Sequence, residues 1–268
     1  LAFETTPDGF HIFQNGVTSV RVYNTHQTDF AKVNHTMVPG DSSLDWRMDA
    51  SCGVPDSTGI GDWRAANTVS SLSKNEVYIL EYNATYDKDN VKKFRVVAVN
   101  DKEYTIEYCS IDEIVPATAT IPKDETYNYS YFSFYNGGHT LQLEPPKDSW
   151  DIVFTRYRII YYNLNNQPYT VTGVLLNPYN TIAARTKAKN FSDINNSLLP
   201  EITLVNHRDV IGYDWKIFDF DKYLYNIDKE TTFIIKNRKD HYWKMHFIDF
   251  YNKQGIKGNP SFEFERFN

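Results

Sequence analysis

Residues 127–177 read YNYSYFSFYNGGHTLQLEPPKDSWDIVFTRYRIIYYNLNNQPYTVTGVLLN and carry the clearest strand pattern in the chain. Three runs rich in aromatic and β-branched residues, which favour strands, are separated by turn-forming residues. Asn136-Gly137-Gly138 ends the first run, because Asn and Gly tolerate positive φ. The second run, Trp150 to Tyr162, is apolar on both faces, which predicts a strand that lies centrally in its sheet. The third run is Thr170 to Leu176.

Composition favours the same fold class over the whole chain. Of its 268 residues 16% are aromatic, with 20 Tyr and 17 Phe, and no long stretch repeats apolar residues at helical spacing. We therefore expect an all-β protein built from two antiparallel units. Prolines and small residues between Ile114 and Thr126 place the boundary near residue 115, which gives an N-terminal β domain of unknown role at 1–115 and a second domain at 116–268. No convincing repeat relates the two.

The first unit contains its own strand signals. Asn15-Gly16, between two apolar runs, is the strongest hairpin signal in the chain. Three further runs read as antiparallel strands: Val77 to Tyr82, Lys93 to Val99 and Tyr104 to Cys109.

Several classes of function are disfavoured. The net charge of −6 is spread without runs of one sign, which argues against nucleic-acid binding. No stretch is apolar for long enough to span a bilayer. The motifs of serine hydrolases, zinc proteases and P-loop enzymes are lacking, so we expect no enzyme. Cys52 and Cys109 could form one disulfide or remain two free thiols.

The second half of the sequence resembles the HmuY family of haem-binding envelope lipoproteins, over roughly residues 117–268. The motifs that carry the resemblance are Tyr131 to Phe134, Trp150 to Phe154 with Arg156-Tyr157, Thr172-Gly173-Val174, Trp215 to Phe218, and Lys244 to Phe264. The resemblance implies a twisted antiparallel sheet that binds haem or a porphyrin. It further implies a place on the outer-membrane surface of a Gram-negative bacterium, with a lipidated cysteine upstream of Leu1 and an outer-membrane receptor that takes the iron.

The resemblance also directs the search for the haem site to the segment from Asn177 to Tyr225. The position that would match one of the family's two donors is Phe220, which cannot coordinate iron, and the loop expected to carry the other donor has one histidine, His207. Tyrosine phenolates ligate iron in some haem proteins, and cations can meet the propionates. The candidate residues are His207 as iron ligand, Tyr223 and Tyr225 next to Phe220 as alternative phenolate donors, and the basic Arg185, Lys187 and Lys189 for the propionates.

Two functions therefore remain open at the level of sequence. In the first, the protein binds haem or a porphyrin and passes iron to a receptor, as the family resemblance implies. In the second, it is a surface binding module that kept the scaffold, lost haem and displays aromatic residues to another ligand or protein. The absent donor at Phe220 favours the second function, and the family resemblance favours the first.

Overall fold

Strands dominate the computed structural model of the chain, which describes residues 1–66, 72–82, 90–187 and 190–267. The described residues form several antiparallel sheets, and their helical segments are short 3-10 turns. The all-β prediction is confirmed. The 3-10 turns are Gly16–Thr18, Phe30–Lys32, His35–Met37, Pro55–Ser57, Tyr135–Gly137, Tyr162–Leu164, Phe191–Asp193 and Asn196–Glu201.

The chain divides into two compact units. The first comprises Leu1–Lys147 and Arg158–Thr170, and the second comprises Asp148–Tyr157 and Val171–Asn268. The boundary that the sequence suggested near residue 115 falls inside a sheet of the first unit, because the strands on either side of it pair with each other. The first division between the two compact units instead lies between Lys147 and Asp148.

The first unit holds nine strands among the described residues: β1 (Ala2–Glu4), β2 (Ile12–Phe13), β3 (Arg21–Asn24), β4 (Tyr78–Glu81), β5 (Val91–Val99), β6 (Glu103–Ser110), β7 (Ala117–Pro122), β8 (Tyr129–Ser133) and β9 (His139–Leu141). One sheet has the order β3-β4-β5-β6-β7 and the other β2-β1-β8-β9. The three antiparallel strands predicted between Val77 and Cys109 are confirmed as β4, β5 and β6.

The Asn136-Gly137-Gly138 turn is also confirmed, since it joins β8 to β9 with all three residues at positive φ. Gly138 is required there, because a Cβ atom would lie 2.1 Å from the Tyr108 hydroxyl. The hairpin at Asn15-Gly16 is wrong. Asn15 has a φ of −80° and caps the 3-10 turn Gly16–Thr18 by accepting from the Val17 amide. β2 then pairs with β1 and β3 with β4.

A long hairpin, β10 (Ile152–Tyr161) and β11 (Gln167–Leu176), contributes residues to both units. These strands form a two-stranded sheet, so the prediction that Trp150 to Tyr162 lies centrally in a large sheet is wrong. The run has no sheet neighbour besides β11 in the described residues, and its two halves belong to different units. Trp150 itself is only half-buried.

The second unit contains six further strands: β12 (Ile182–Thr186), β13 (Lys216–Asp219), β14 (Leu224–Ile227), β15 (Thr232–Lys236), β16 (Tyr242–Tyr251) and β17 (Lys257–Arg266). Its main sheet has the order β12-β15-β16-β17, and β13 and β14 form a separate hairpin. Trp215, Phe233, Met245 and Phe247 lie at the centre of its core.

The two main sheets repeat the same pairing. Ile79 pairs with Lys93 in the first unit, and Ile234 pairs with Lys244 in the second. Three residues after each lysine the following strand pair is interrupted by a shift of register, after Val96 in β5 and after Phe247 in β16. A β-bulge placed identically in two sheets is a feature of a shared fold.

A buried lysine holds a 3-10 turn against the first sheet. Lys93 is 1% exposed, and its ammonium donates to the carbonyls of Phe30, at 3.0 Å, and Val33, at 2.5 Å. The ring of Phe30 lies 5.0 Å from the ammonium. These contacts fix the segment Phe30–Lys32, because the ammonium is a donor to the Val33 carbonyl and a second donor to the Phe30 carbonyl, which also accepts from the Val33 amide.

The second unit repeats this arrangement around Lys244, which is 3% exposed. Its ammonium donates to the carbonyls of Phe191, at 2.9 Å, and Ile194, at 3.2 Å, and lies 4.7 Å from the Phe191 ring. In both units an asparagine, Asn34 or Asn195, follows and caps the next 3-10 turn with its side chain.

A glycine-tryptophan turn is the third shared feature. Gly61 and Gly212 both have a φ of 67°, and each precedes a buried tryptophan, Trp63 or Trp215. The carbonyl of Trp63 accepts from the Lys74 amide at 3.0 Å, and the carbonyl of Trp215 accepts from the Asp228 amide at 2.9 Å. The first unit is therefore a structural counterpart of the second, and the expectation of no repeat between them is wrong.

Candidate functional site

The hairpin β13–β14 of the second unit displays an aromatic group at its tip. Phe218 on β13 pairs with Tyr225 on β14, and their ring centroids lie 5.1 Å apart. The rings of Phe220 and Tyr223 approach Phe218 edge-on at 5.0 and 6.4 Å. We call Phe218, Phe220, Tyr223 and Tyr225 the aromatic tip. Edge-to-face contacts of this kind are favourable between aromatic rings.

The aromatic tip is open to solvent. Phe220 is 78% and Tyr223 82% exposed, and Ile217 on the same hairpin is 61% exposed. Large apolar side chains gathered at one exposed place commonly mark a binding surface. Tyr223 also has a φ of 53°, a left-handed conformation that is rare for a bulky residue and is found preferentially at functional positions.

The loop that carries Phe220 and Tyr223 is held by one carboxylate. Asp219 accepts hydrogen bonds from the backbone amides of Asp221 and Lys222, each at 3.0 Å, and from the Asn226 side chain at 3.3 Å. The amide of Lys222 is the largest of the influences that lower the pKa of Asp219, so this carboxylate stays charged at neutral pH. The loop is therefore fixed by local polar contacts while its apolar side chains face outwards.

The base of the hairpin is anchored in the core of the second unit. Tyr225 packs edge-on against Phe250 at 5.0 Å, and its backbone amide donates to the Tyr251 hydroxyl at 2.7 Å. Trp215, immediately before β13, stacks on Phe247 with ring centroids 3.7 Å apart. The aromatic tip thus projects from a rigid support.

An open cleft of about 230 Å³ lies at this base. Asp214 and Trp215 enter it from the start of β13, and Asp228 from the end of β14. The remaining lining residues lie at the end of β12 and just after it (Arg185, Thr186 and Lys187), and just before β15 and within it (Thr231 and Phe233). The structure therefore brings the predicted pair Arg185 and Lys187 together in one cleft. Lys189 lies outside the described residues.

Arg185 is largely committed within the protein. Its guanidinium donates to both carboxylate oxygens of Asp214, at 2.6 and 2.7 Å, and to the carbonyls of Val210 and Ile211. Since a guanidinium has five N–H groups, these four bonds leave one for a ligand. Arg185 therefore serves mainly to hold residues 210–214, which precede β13, against β12.

Lys187 is more available. Its ammonium pairs with Asp228 at 2.8 Å, but its side chain is 58% exposed. The hydrogen bond to Asp228 raises the pKa of Lys187, which keeps the ammonium charged. Thr231 also donates to Asp228, at 2.9 Å, and so orients this carboxylate. A ligand carboxylate could approach Lys187 from solvent.

His207 lies elsewhere in the second unit. It is exposed, and its carbonyl accepts from the Val210 amide at 3.2 Å in a turn that Arg185 contacts through the Val210 carbonyl. Within the described residues its imidazole makes no hydrogen bond, ion pair or ring contact, and it does not line the cleft. The structure thus gathers Tyr223 and Tyr225 at the aromatic tip, Arg185 and Lys187 in the cleft, and leaves His207 apart from both groups.

Metal-binding side chains do not cluster in the part of the chain that the structure describes. No group of three or more His, Cys, Asp and Glu residues there is arranged to hold a metal ion. Cys52 and Cys109 are free thiols, and burial raises the pKa of Cys109 to about 11. No helix in the described residues has the length and apolar character that crossing a membrane requires.

The family model for HmuY protein matches residues 125–264, which is more than half of the chain. The chain belongs to the HmuY family. HmuY proteins form a family of surface binding proteins that is associated with haem. No curated protein and no solved structure matches the chain. The HmuY match includes both the aromatic tip and the cleft, and it leaves most of the first unit outside.

Sequence reasoning missed the acidic half of the cleft in this HmuY protein. Asp214 and Asp228 are distant in sequence, and they meet because they flank the two strands of one hairpin. The position of each carboxylate directly before or after a predicted strand was the signal that could have paired them.

Proposed function

We propose that this protein is a non-enzymatic haem- or porphyrin-binding protein of the cell surface, serving iron acquisition, and that it binds its ligand at the aromatic tip. The observation that carries the proposal is the exposure of Phe220 and Tyr223 around Phe218 on a hairpin anchored in the core. Membership of the HmuY family supports haem as the ligand.

The chemistry of the aromatic tip suits a flat apolar macrocycle. Phenylalanine rings provide stacking surface, and a tyrosine oxygen is an established haem ligand. Tyr223 has an exposed phenol beside Phe218 and Phe220, so it is our proposed axial donor. Tyr225 is half-buried and supports the ring of Phe218. With Phe220 unable to coordinate, we expect a single protein donor and binding weaker than that of two-donor sites.

Lys187 is the proposed partner of a propionate, because its exposed ammonium can leave or share Asp228 at little cost. Arg185 has one N–H group to offer, because its other four are bonded to Asp214, Val210 and Ile211. The residue type and sequence position of His207 predict it as an alternative iron donor, and the haemin titration described below tests this prediction.

The proposed location is the outer membrane of a Gram-negative bacterium, through a lipidated cysteine upstream of Leu1, with an outer-membrane receptor as the recipient of the iron. Membership of an envelope family supports this proposal. The complete gene should encode a signal sequence that ends in such a cysteine. A gene without one would contradict the proposed anchor.

Haemin titration followed by the Soret absorption tests the ligand. Wild type should give a saturable Soret band with one haem per chain, and Tyr223→Phe, which removes only the hydroxyl, should shift or abolish it. Tyr135→Phe is the matched control, because Tyr135 is 68% exposed in the first unit. His207→Ala is compared with His139→Ala, another exposed histidine. A band that survives unchanged in Tyr223→Phe removes Tyr223 from the site.

Phe220 favours a second candidate function, a binding module for a non-haem ligand or protein. An exposed phenylalanine at a donor position offers stacking surface and no coordination. If wild type gives no Soret band at haemin levels well above the protein concentration, this second function replaces the first.

A further inference from the structure

The aromatic face of β17 is exposed, although its counterpart in the first unit is buried. Phe264 pairs with Met245 across β16 and β17, and Tyr108 pairs with Phe94 at the equivalent position across β5 and β6. Phe264 is 60% exposed, whereas Tyr108 is 7% exposed. The repeated fold therefore contains a surface that one unit covers and the other leaves open.

Two neighbouring strands cover Tyr108. β7 pairs antiparallel with the outer edge of β6 and places Ala117 opposite Tyr108. Phe132 on β8 and Phe134 just after it then pack edge-on against the Tyr108 ring, with centroids 5.2 and 5.4 Å away. A small side chain beside the ring and aromatic side chains over it together exclude water.

The corresponding edge in the second unit lacks such neighbours. β17 is the last strand of its sheet, and no strand in the described residues pairs with its outer edge. Exposed edges offer a row of backbone N–H and C=O groups to any extended chain. Phe264 continues along the strand into Phe262, which stacks on Phe154 at 5.4 Å, so the open face is apolar for some length.

The opposite face of β17 is already engaged. Glu263 pairs with His246 at 3.1 Å, and Glu265 pairs with Lys244, also at 3.1 Å. The polar side chains of the strand therefore face one way, and the open aromatic side chains face the other, as alternation along a strand requires.

We propose that β17 is an acceptor for an extended strand of a partner polypeptide, which adds antiparallel to its outer edge as β7 adds to β6. The covered counterpart defines the chemistry of this partner. Small apolar residues should alternate with Thr or Ser on the added strand, as in the Ala-Thr-Ala-Thr of residues 117–120, and aromatic residues should follow to cover Phe264. Strand addition of this kind takes its affinity from main-chain hydrogen bonds and its specificity from alternate side chains.

A peptide with the sequence of residues 115–136 is the probe, since it contains β7, β8 and the aromatic residues that follow. Fluorescence anisotropy of the labelled peptide with the full chain should show saturable binding. Phe264→Lys should weaken this binding at least about tenfold, because a charge would face the added strand. Phe264→Thr keeps strand propensity but removes the aromatic ring, so it should also bind the peptide more weakly than wild type does.

Ile256→Lys is the matched control, because Ile256 is 58% exposed in the loop before β17 and should bind like wild type. A peptide carrying Ala117→Asp and Ala119→Asp should bind poorly. In hydrogen exchange, peptide should protect the amides of β17 and leave those of β12, at the other edge, unchanged. Absence of saturable binding to wild type, or binding to Phe264→Lys and Phe264→Thr that is as tight as binding to wild type, overturns the proposal. Self-association that light scattering detects and Phe264→Lys abolishes would also overturn it, since the occupant would be a second copy of this chain.

Discussion

Lys93 and Lys244 make the same contact in different halves of the chain. Each lysine is buried on a strand, each donates to two carbonyls of a 3-10 segment, and each lies under the phenylalanine ring that begins that segment. Burying an ammonium is costly unless several acceptors surround it. Two independent occurrences of so unusual an arrangement are best explained by one fold used twice.

This equivalence predicts matched effects on stability. Lys93→Met and Lys244→Met should each lower the free energy of unfolding by about 1–3 kcal/mol, because the carbonyl of Val33 or Ile194 loses the ammonium as donor and that of Phe30 or Phe191 loses one of its two donors. Hydrogen exchange should then rise in residues 30–38 for the first variant and in residues 191–199 for the second. Lys32→Met, at a lysine whose side chain is 73% exposed, is the control and should change little. Loss of protection in the same segment for both variants would contradict the equivalence.

Trp215 is predicted to be a major contributor to the stability of the second unit. It is 3% exposed and stacked on Phe247, so Trp215→Ala should cost about 3–5 kcal/mol, the range for a large side chain lost from a core. Trp150→Ala should cost clearly less, because Trp150 is only half-buried. Urea unfolding of both variants measures the difference, and a larger loss for Trp150→Ala would show that the core is misassigned.

Lys216 should give the protein a stability that rises with pH. Burial lowers its pKa from 10.5 to about 8. Between those values the unfolded chain binds more protons than the folded protein, so the free energy of unfolding increases with pH through this window. Lys216→Met should lose that increase. Urea unfolding at pH values below, within and above the window tests the sign, and an unchanged slope in the variant would contradict it.

Asp219 is predicted to affect ligand binding without touching the ligand. Its carboxylate fixes the amides of Asp221 and Lys222, and so the strained backbone of Tyr223. Asp219→Ala should loosen the loop and weaken haemin binding by about tenfold, which corresponds to 1.4 kcal/mol. Asp221→Ala, in the same loop, is the control. Equal affinity for Asp219→Ala and wild type would mean that the loop needs no such support.

Local sequence was sufficient to predict much of the first sheet. β6 alternates polar and apolar residues from Glu103 to Tyr108, and the short polar turn Asn100-Asp101-Lys102 joins it to β5, so this hairpin can be identified without its neighbours. The Asn136-Gly137-Gly138 turn is likewise set by its own residues, because few others adopt positive φ. Asn15-Gly16 failed as a hairpin since the Asn15 side chain caps a 3-10 turn, which competes with the turn of a hairpin.

Contacts between distant residues account for what sequence could not predict. The repeat rests on brief motifs, Phe30-Ala31-Lys32-Val33-Asn34 with Phe191-Ser192-Asp193-Ile194-Asn195, joined by connections of unequal length. The two motifs can be recognised as equivalent only when it is known that Lys93 donates to the carbonyls of one and Lys244 to those of the other. The aromatic tip was partly predictable, because Tyr223 and Tyr225 are sequence neighbours of Phe220. The cleft was not, because hairpin pairing alone brings Asp214 near Asp228.

The buried lysines also supply a chemical reporter. An amine-reactive reagent acetylates lysines that solvent reaches, so Lys187 and Lys222 should react early, whereas Lys93 and Lys244 should react only when the surrounding sheet opens. Because each lies in a different unit, mass spectrometry of the two peptides over time would give separate opening rates for the two halves of one chain. The acetylation rates of Lys93 and Lys244 would therefore report how often the sheet around each lysine opens.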